Sequence, residues 1–588
     1  MKTSKNFARV AVTAGLTAAM ALGNVVAPAA MAFAASGSTV TFADSDYATS
    51  TTYKGIRIFK ATVATTGGAA KLSNIEWASD DAKAAVLSAI KAKDSSFASD
   101  HAQDAADWLN AHAEVTGADS KVASDNVLSL IAANLEGKSG WETTSAGSPS
   151  LSGLDAGYWL FLTAAAGTPG GSSTDAFTSP VYAVIDGTSS TTVTPKKGVP
   201  TVEKKVLDDA DASGADIKGS DKWKDVADSQ IGQEVNYKLT GTIASNYATF
   251  DTYAYKFTDV LSSGLDYVNG SVEVYALKDG AYTTIDANKY VVGWANNTLT
   301  VDFKVDGTKK GLKDVAGVDA NTQIVVFYKA KLNGSAVIGN AAEGNKGGNP
   351  NIVKLEYSNN PYAEGTGTTI EDTVADFAFK LNLNKVDQGT EKGLAGAVFT
   401  IQSADANTAG QYVASKADDA AGVVAGQLVS VDANNLPDYV KFTSGEDGKI
   451  AVSGLDAGSY KVTEVQIPDD SKYTKANPFT FTITPEYDES TMKVTSLKAD
   501  VSESDKGRTD IAFGTLDGTA GDHKLTGTEG TGTNAAAGEV TINVGNTKSV
   551  GLPITGLDGV TLTWVAGGAV LVIGVAHLIR SRREESEE

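Results

Sequence analysis

The chain has 588 residues, no cysteine, four histidines and a formal net charge of −22. That length accommodates several domains, and 42% apolar with 8% aromatic content favours packed cores over disorder. The acidic balance disfavours nucleic acid and anionic lipid as partners. The lack of cysteine removes disulfides and thiolate chemistry, and the scattered His101, His112, His523 and His577 form no metal-type cluster.

At the N-terminus, Lys2, Lys5 and Arg9 precede an apolar run from Val10 to Leu22, and Ala32-Phe33-Ala34 is a small-x-small cleavage site. Residues 1–34 are therefore read as a secretory signal peptide. An exported chain without disulfides must draw its stability from another source. A first block, 35–197, holds an Ala-rich helical stretch from Asp80 to Ala113 inside strand-like sequence. A second, 198–362, opens at Val199-Pro200 and closes at LEYSNNP (Leu355–Pro361). Its strands include EVNYKLTG, with Val235, Tyr237 and Leu239 on one face, and QIVVFYKAKL. The segment EGTGTT, Glu364–Thr369, has linker composition. A third block covers 373–548.

SGLDAG occurs twice, at Ser152–Gly157 and Ser453–Gly458, each time followed by an apolar strand (YWLFLT and SYKVTE). Blocks one and three thus share a turn-and-strand unit. Sixty glycines and abundant Thr and Val predict a mainly β protein: tandem Ig-like β-sandwiches, the first with helical insertions. In the tail, 549–588, Leu552-Pro553-Ile554-Thr555-Gly556 precedes Val560–Ile579, which lacks Asp, Glu, Lys and Arg. That segment is long enough for the ~30 Å hydrocarbon layer. Arg580, Arg582 and Arg583 follow it, a positive-inside stop.

The chemistry lies where apolar faces end in polar residues. In FAFKLNLNKVD, alternation puts Phe377, Phe379, Leu381, Leu383 and Lys385 on one face. SYKVTE gives Tyr460, Val462 and Glu464, and EVTINVGNTK gives Val540, Ile542, Val544 and Asn546. An unpaired buried ammonium is expensive. A desolvated lysine, however, loses its proton and becomes a nucleophile, while a desolvated carboxyl keeps its proton and polarises an amide. Holding amine against amide carbon replaces a bimolecular encounter, worth up to ~7–11 kcal/mol of barrier. The expected product is a Lys–Asn isopeptide bond with release of ammonia, in which neither group is charged. The bland alternative is an unreacted Lys385–Glu464 ion pair, which leaves Asn546 unexplained.

Block two yields a second set by parity: Lys204 in TVEKKV, Asp259 in TYAYKFTDVL and Asn351 in NIVKLEYSNNP. Parity prefers Lys204 to Lys205. It favours Asn351 over Asn340, with Asn349 sharing its parity. Block one yields none, because the repeat puts Thr163 where block three has Glu464.

LNKVD, GSYKVTE and VTINVGNTK resemble the collagen-adhesin B-type domain of Gram-positive pilins and adhesins, and the block-two set resembles the A-type domain with its Asp catalyst. The Glu464 strand is similar to the pilin E-box, with Tyr460, Val462 and Pro468 but without its Ala-Pro and Gly-Tyr ends. The tail resembles a cell-wall sorting signal, which implies sortase cleavage between Thr555 and Gly556. TVTPKK, Thr192–Lys197, is similar to the pilin motif with a Y-P-K-N core. Thr194 replaces its Tyr and Lys197 its Asn. Matching Pro195 makes Lys196 the intersubunit acceptor, with Lys197 a live alternative.

Together these features resemble a major (backbone) pilin of sortase-assembled pili. The resemblance implies Lys385–Asn546 and Lys204–Asn351 bonds, with Glu464 and Asp259 as their catalysts. It implies a shaft polymerised head to tail between Thr555 and Lys196, and an adhesive role. Its implied partners are identical subunits, pilus and housekeeping sortases, minor tip or basal pilins, peptidoglycan and a host surface ligand. The implied location is the cell wall, after a membrane-held precursor. No cofactor, metal or nucleic acid is expected, and no enzymatic activity beyond the self-directed bonds. A single-copy wall-anchored adhesin would need LPITG but not Lys196. A secreted enzyme would need a clustered site that the sequence lacks.

Overall fold

The computed structural model describes residues 37–43, 50–66, 69–113, 122–168, 174–212, 216–340, 347–468, 472–514 and 533–548. The expected signal peptide (1–34), the sorting motif Leu552 to Gly556, the hydrophobic segment and the basic tail lie outside these residues. Among the described residues, no helix is long and apolar enough to cross a membrane.

Strand outweighs helix, 47% against 12%, and the longer helices all belong to the first of three units. There, strand Thr52–Thr66 pairs with Ala69–Trp77 on one side and Gly157–Ala165 on the other. A three-stranded sheet of Ser150–Leu154, Ser38–Phe42 and Ser190–Val193 covers one face, meeting Tyr53, Trp159 and Phe161. Helices α1 (Asp80–Lys93), α2 (Ala102–His112) and α3 (Val127–Leu135) cover the other, against Ile56, Ile58, Leu160 and Leu162. Being covered on both faces explains why Tyr158–Leu162 is apolar at every position.

The single helical stretch expected over Asp80–Ala113 is thus two helices. Ser79 caps α1, accepting from the Ala82 N–H at 3.1 Å, and Asp94 ends it. Helix α3, capped by Asn126, was not legible in the sequence. VLSLIAANL is apolar enough to hide its period, and periodicity cannot distinguish such a short run from a buried strand.

The second unit is a sandwich of two sheets. One carries strands Val202–Leu207, Glu234–Thr242 and Gln323–Leu332; the other carries Tyr255–Leu261, Thr298–Phe303 and Asn349–Ser358. Alternation is strict: Val235, Tyr237 and Leu239 are buried and their neighbours are not. The third unit repeats the connection of the first. Phe379–Asp387 pairs antiparallel with Lys449–Leu455 and parallel with Glu539–Asn546, just as Ser38–Phe42 does with Ser150–Leu154 and Ser190–Val193. In both units the SGLDAG turn carries the chain from one sheet to the other.

Two expected boundaries move. Thr366–Thr368, inside the expected linker, is a strand paired with Glu356–Ser358. Gly367 permits the approach, since a Cβ would stand 3.0 Å from the Tyr357 ring. Asp372–Phe377 also joins the middle sheet, between Val226–Asp228 and Asn349–Ser358. The middle sheet therefore extends beyond 362, and the third unit's sheet begins at Phe379 rather than 373. FAFKLNLNKVD breaks at Ala378: Phe377 closes the strand Asp372–Phe377, which pairs within the second unit, while Phe379–Asp387 pairs within the third.

Candidate functional site

In the third unit, Lys385 and Asn546 sit on neighbouring parallel strands, with Asp387 opposite Asn546. Glu464 reaches them from the facing sheet, on strand Gly458–Gln466. All three are at most 2% exposed. The Lys385 Nζ contacts Asn546 Oδ1 and lies 3.5 Å from Glu464 Oε1. Asn546 Nδ2 donates to Glu464 Oε1 at 3.0 Å. The Ala476 N–H donates to the other carboxyl oxygen at 2.6 Å, fixing its rotamer. Burial lowers Lys385 to about 8, against the opposing pull of Glu464, so the neutral amine is accessible near neutral pH. The amine thus sits at the amide, and the carboxyl sits beside the nitrogen that would depart.

The second unit assembles Lys204, Asp259 and Asn351 differently. Lys204 is on a strand of one sheet; Asp259 and Asn351 are on adjacent strands of the other. All three have no exposure. Lys204 Nζ contacts Asp259 Oδ1. The Tyr328 hydroxyl accepts from Lys204 Nζ at 3.0 Å and from Asn351 Nδ2 at 2.6 Å. The rings of Tyr237 and Tyr328 flank the ammonium at 5.5 and 5.4 Å. Burial lowers Lys204 to about 8, opposed by Asp259, and raises Asp259. Asp259 Oδ2 and Asn351 Oδ1 are buried without a hydrogen-bond partner, a cost that cross-linking chemistry would relieve.

The other asparagines are engaged elsewhere. Asn349 exchanges hydrogen bonds with the Val337 backbone at 2.8 and 3.1 Å and donates to Asp376 O. Asn340 is bonded to both backbone groups of Val494, in the third unit. Lys205 points outward, to Asp225.

Parity did not flag Tyr328, Ala476 or the Phe399 ring, 5.8 Å from Lys385 Nζ. Tyr328 had a readable signal: it shares the inward face of QIVVFYKAKL with Val326 and Ala330, and a hydroxyl on such a face needs a partner.

The first unit has no such triad among its described residues. Thr163 is buried where the repeat puts Glu464, and its hydroxyl accepts from the Thr178 N–H at 3.0 Å. At the junction, the Lys196 N–H donates to Thr178 Oγ1 at 2.6 Å and its carbonyl accepts from the Ser179 N–H at 2.8 Å. Lys196 is half-buried as a residue. Lys197 instead turns inward, to Asp175 and the Tyr53 hydroxyl.

Two stretches of the chain match known families: residues 379–498 a prealbumin-like fold domain, and 231–361 the Gram-positive pilin backbone subunit 2, Cna-B-like domain. The trypsin-resistant surface T6 protein of Streptococcus pyogenes is 26% identical over 406 residues, spanning 60% of this chain and 67% of that protein. Similar solved structures include the T6 backbone pilin of S. pyogenes serotype M6 (16% identity, TM-score 0.47, 88% of this chain and 99% of that one). Another is the major pilin SpaD of Corynebacterium diphtheriae (16% identity, TM-score 0.42, 88% and 99%). Residues 231–361 thus match a Gram-positive pilin backbone domain and residues 379–498 a prealbumin-like fold domain.

Proposed function

We propose that this chain is the polymerising subunit of a covalent cell-surface pilus shaft, reinforced by two internal Lys–Asn bonds. The observation that carries the reading is the pair of fully buried lysine–acid–asparagine triads, one in each of the last two units. In each, the neutral lysine Nζ attacks the asparagine Cγ, the carboxyl moves protons from the amine to the departing Nδ2, and ammonia leaves. Glu464 serves Lys385 and Asn546; Asp259 serves Lys204 and Asn351, beside the Tyr328 hydroxyl.

Assembly uses the C-terminal sorting motif of one subunit and the junction lysine of the next. A pilus sortase's cysteine attacks the Thr555 carbonyl and releases the C-terminal segment, with Gly556 as its new amino end. The thioester then accepts Lys196 Nζ of the next subunit, and the thiol departs with the amine's proton. A housekeeping sortase passes the last Thr555 to a wall-precursor amine, with minor pilins at tip or base. We read the units as the blocks 35–197, 198–362 and 373–548, with the second and third boundaries shifted so that these two units meet near Ala378.

Lys196→Ala should abolish the high-mass ladder in wall extracts while leaving a folded, wall-anchored monomer. Thr555→Ala should abolish both ladder and anchoring. A normal ladder from a chain lacking both Lys196 and Lys197 would move the acceptor elsewhere, and absence of a ladder from the unaltered chain would favour the single-copy adhesin. The streptococcal relative is named for trypsin resistance, and the same resistance is expected here for as long as the two internal bonds are intact.

A further inference from the structure

Unit one keeps the frame of unit three but not its chemistry. Ser38 pairs with Leu154 and Thr39 with Ser190; Phe379 pairs with Leu455 and Lys380 with Glu539. Counting on from Ser190 and from Glu539, Lys197 falls at the position of Asn546. Thr163 replaces Glu464, and the Thr178 N–H bonds to it as the Ala476 N–H bonds to Glu464. An amide is thus replaced by an amine, and the acid beside it by a hydroxyl. The amine finds its counter-charge on another element. Asp175 has no side-chain exposure, and the Lys197 side chain is 8% exposed. Asp175 is itself held: Thr51 Oγ1 donates to Oδ2 at 2.5 Å, the Ala176 N–H to Oδ1 at 2.7 Å, and Asn359 Nδ2 to its carbonyl at 3.2 Å. The Tyr53 ring, stacked on Phe42, lies 5.7 Å from the lysine Nζ.

Neighbouring residues of an extended strap face opposite ways. Pinning Lys197 inward therefore turns Lys196 outward, and the hydrogen bonds to Thr178 and Ser179 hold that register. We propose that Asp175 is a positioning residue for assembly: it withdraws Lys197 as a buried, ion-paired ammonium and so makes Lys196 the amine offered to the sortase thioester. The inference rests on the polymerising reading for its purpose, but its geometry can be tested without a sortase.

The test acylates the purified full chain with an amine-reactive N-hydroxysuccinimide ester and maps each lysine by mass spectrometry. Lys196 should be modified about tenfold faster than Lys197 or more, since a buried amine held in an ion pair is hidden from the reagent. Asp175→Asn, nearly isosteric, should erase most of that ratio by raising the Lys197 rate alone. Equal rates in the unaltered chain overturn the proposal. So does undiminished protection of Lys197 in an Asp175→Asn chain that melts cooperatively. If that variant does not fold, Asp175→Ser takes its place, and the ratio in the unaltered chain decides independently. In a polymerising host, junction peptides should carry only Lys196 in the unaltered chain and both lysines in the variant, a shift that a merely structural role would not produce. Absence of polymer from every chain would sink the assembly reading while leaving the labelling result to judge Asp175.

Discussion

Lys385 is buried at the end of an apolar face, against Asn546 and Glu464, and the proposed cross-link predicts a change in mass. The ectodomain should be lighter than its sequence by two ammonia molecules. Glu464→Ala should restore one and Asp259→Ala the other; an intact spectrum at full sequence mass would defeat the chemistry in both units. Tyr328 allows a sharper test. Its hydroxyl faces both Lys204 and Asn351, while its ring stacks on Tyr237 with centroids 5.2 Å apart. Tyr328→Phe keeps the ring and removes the hydroxyl. Bond formation in unit two should slow by about tenfold or more, the low side of what a positioned proton-transfer group contributes. Intact-mass spectra soon after synthesis should then show a mixture that lacks one ammonia or two. Complete bond formation at the normal rate would remove Tyr328 from the mechanism.

At the scale of elements, the two proposed bonds would tie different things together. In the third unit Lys385 and Asn546 lie on the first and last strands, which are parallel neighbours in one sheet. In the second unit Lys204 and Asn351 lie on facing sheets, so the proposed bond would staple the sandwich through its core. Each would close a loop that spans most of its unit. By analogy with disulfides, a loop of that length restricts the unfolded chain by about 5 kcal/mol, a fall in Tm on the order of 10 °C when it is lost. Glu464→Ala should therefore lower the melting temperature of the third unit while its core, with Phe379, Leu381, Ile542 and Val544, still folds. Calorimetry checks this, and an unchanged transition in a chain shown by mass to lack the bond would contradict it.

Across the whole molecule, the joint between the second and third units is built from buried acids. The segment Asp228–Gly232 crosses it. Tyr487 donates to Asp228 at 2.6 Å, Tyr460 to Gln230 at 2.8 Å, and the Ile231 N–H to Gly454 at 3.1 Å. Asp376 accepts from Ser229 at 2.9 Å. Burial raises Asp376 to about 8, helped by Asp228, and raises Asp208 to about 7, helped by Asp228 and Asp209. The folded joint holds protons that an unfolded carboxyl releases near 4, so by linkage the joint gains stability as pH falls from about 8 and loses it as pH rises. Hydrogen exchange at 226–233 and 453–460 should accordingly be slower at pH 5 than at pH 8, after correction for intrinsic rates. Asp376→Asn should flatten most of that difference, and the opposite slope in the unaltered chain would refute the assignment.

The sequence by itself determined what depends on neighbours along the chain. Alternation decided which side of a strand faces the core, so Lys204, Asp259, Asn351, Lys385, Glu464 and Asn546 were all legible as polar residues on apolar faces. The SGLDAG repeat located Thr163 against Glu464, and the strand-rich composition fixed the β class. Only the tertiary structure decided what depends on distant partners. It broke FAFKLNLNKVD at Ala378, because Phe377 ends a strand of the second unit and Phe379–Asp387 pairs within the third. It engaged Asn349 with Val337 and left Asn351 facing Tyr328, although both share one parity. It also turned Lys197 toward Asp175. Parity reports a side chain's direction but not what it meets, and what it meets is set by the pairing of strands far apart in the chain.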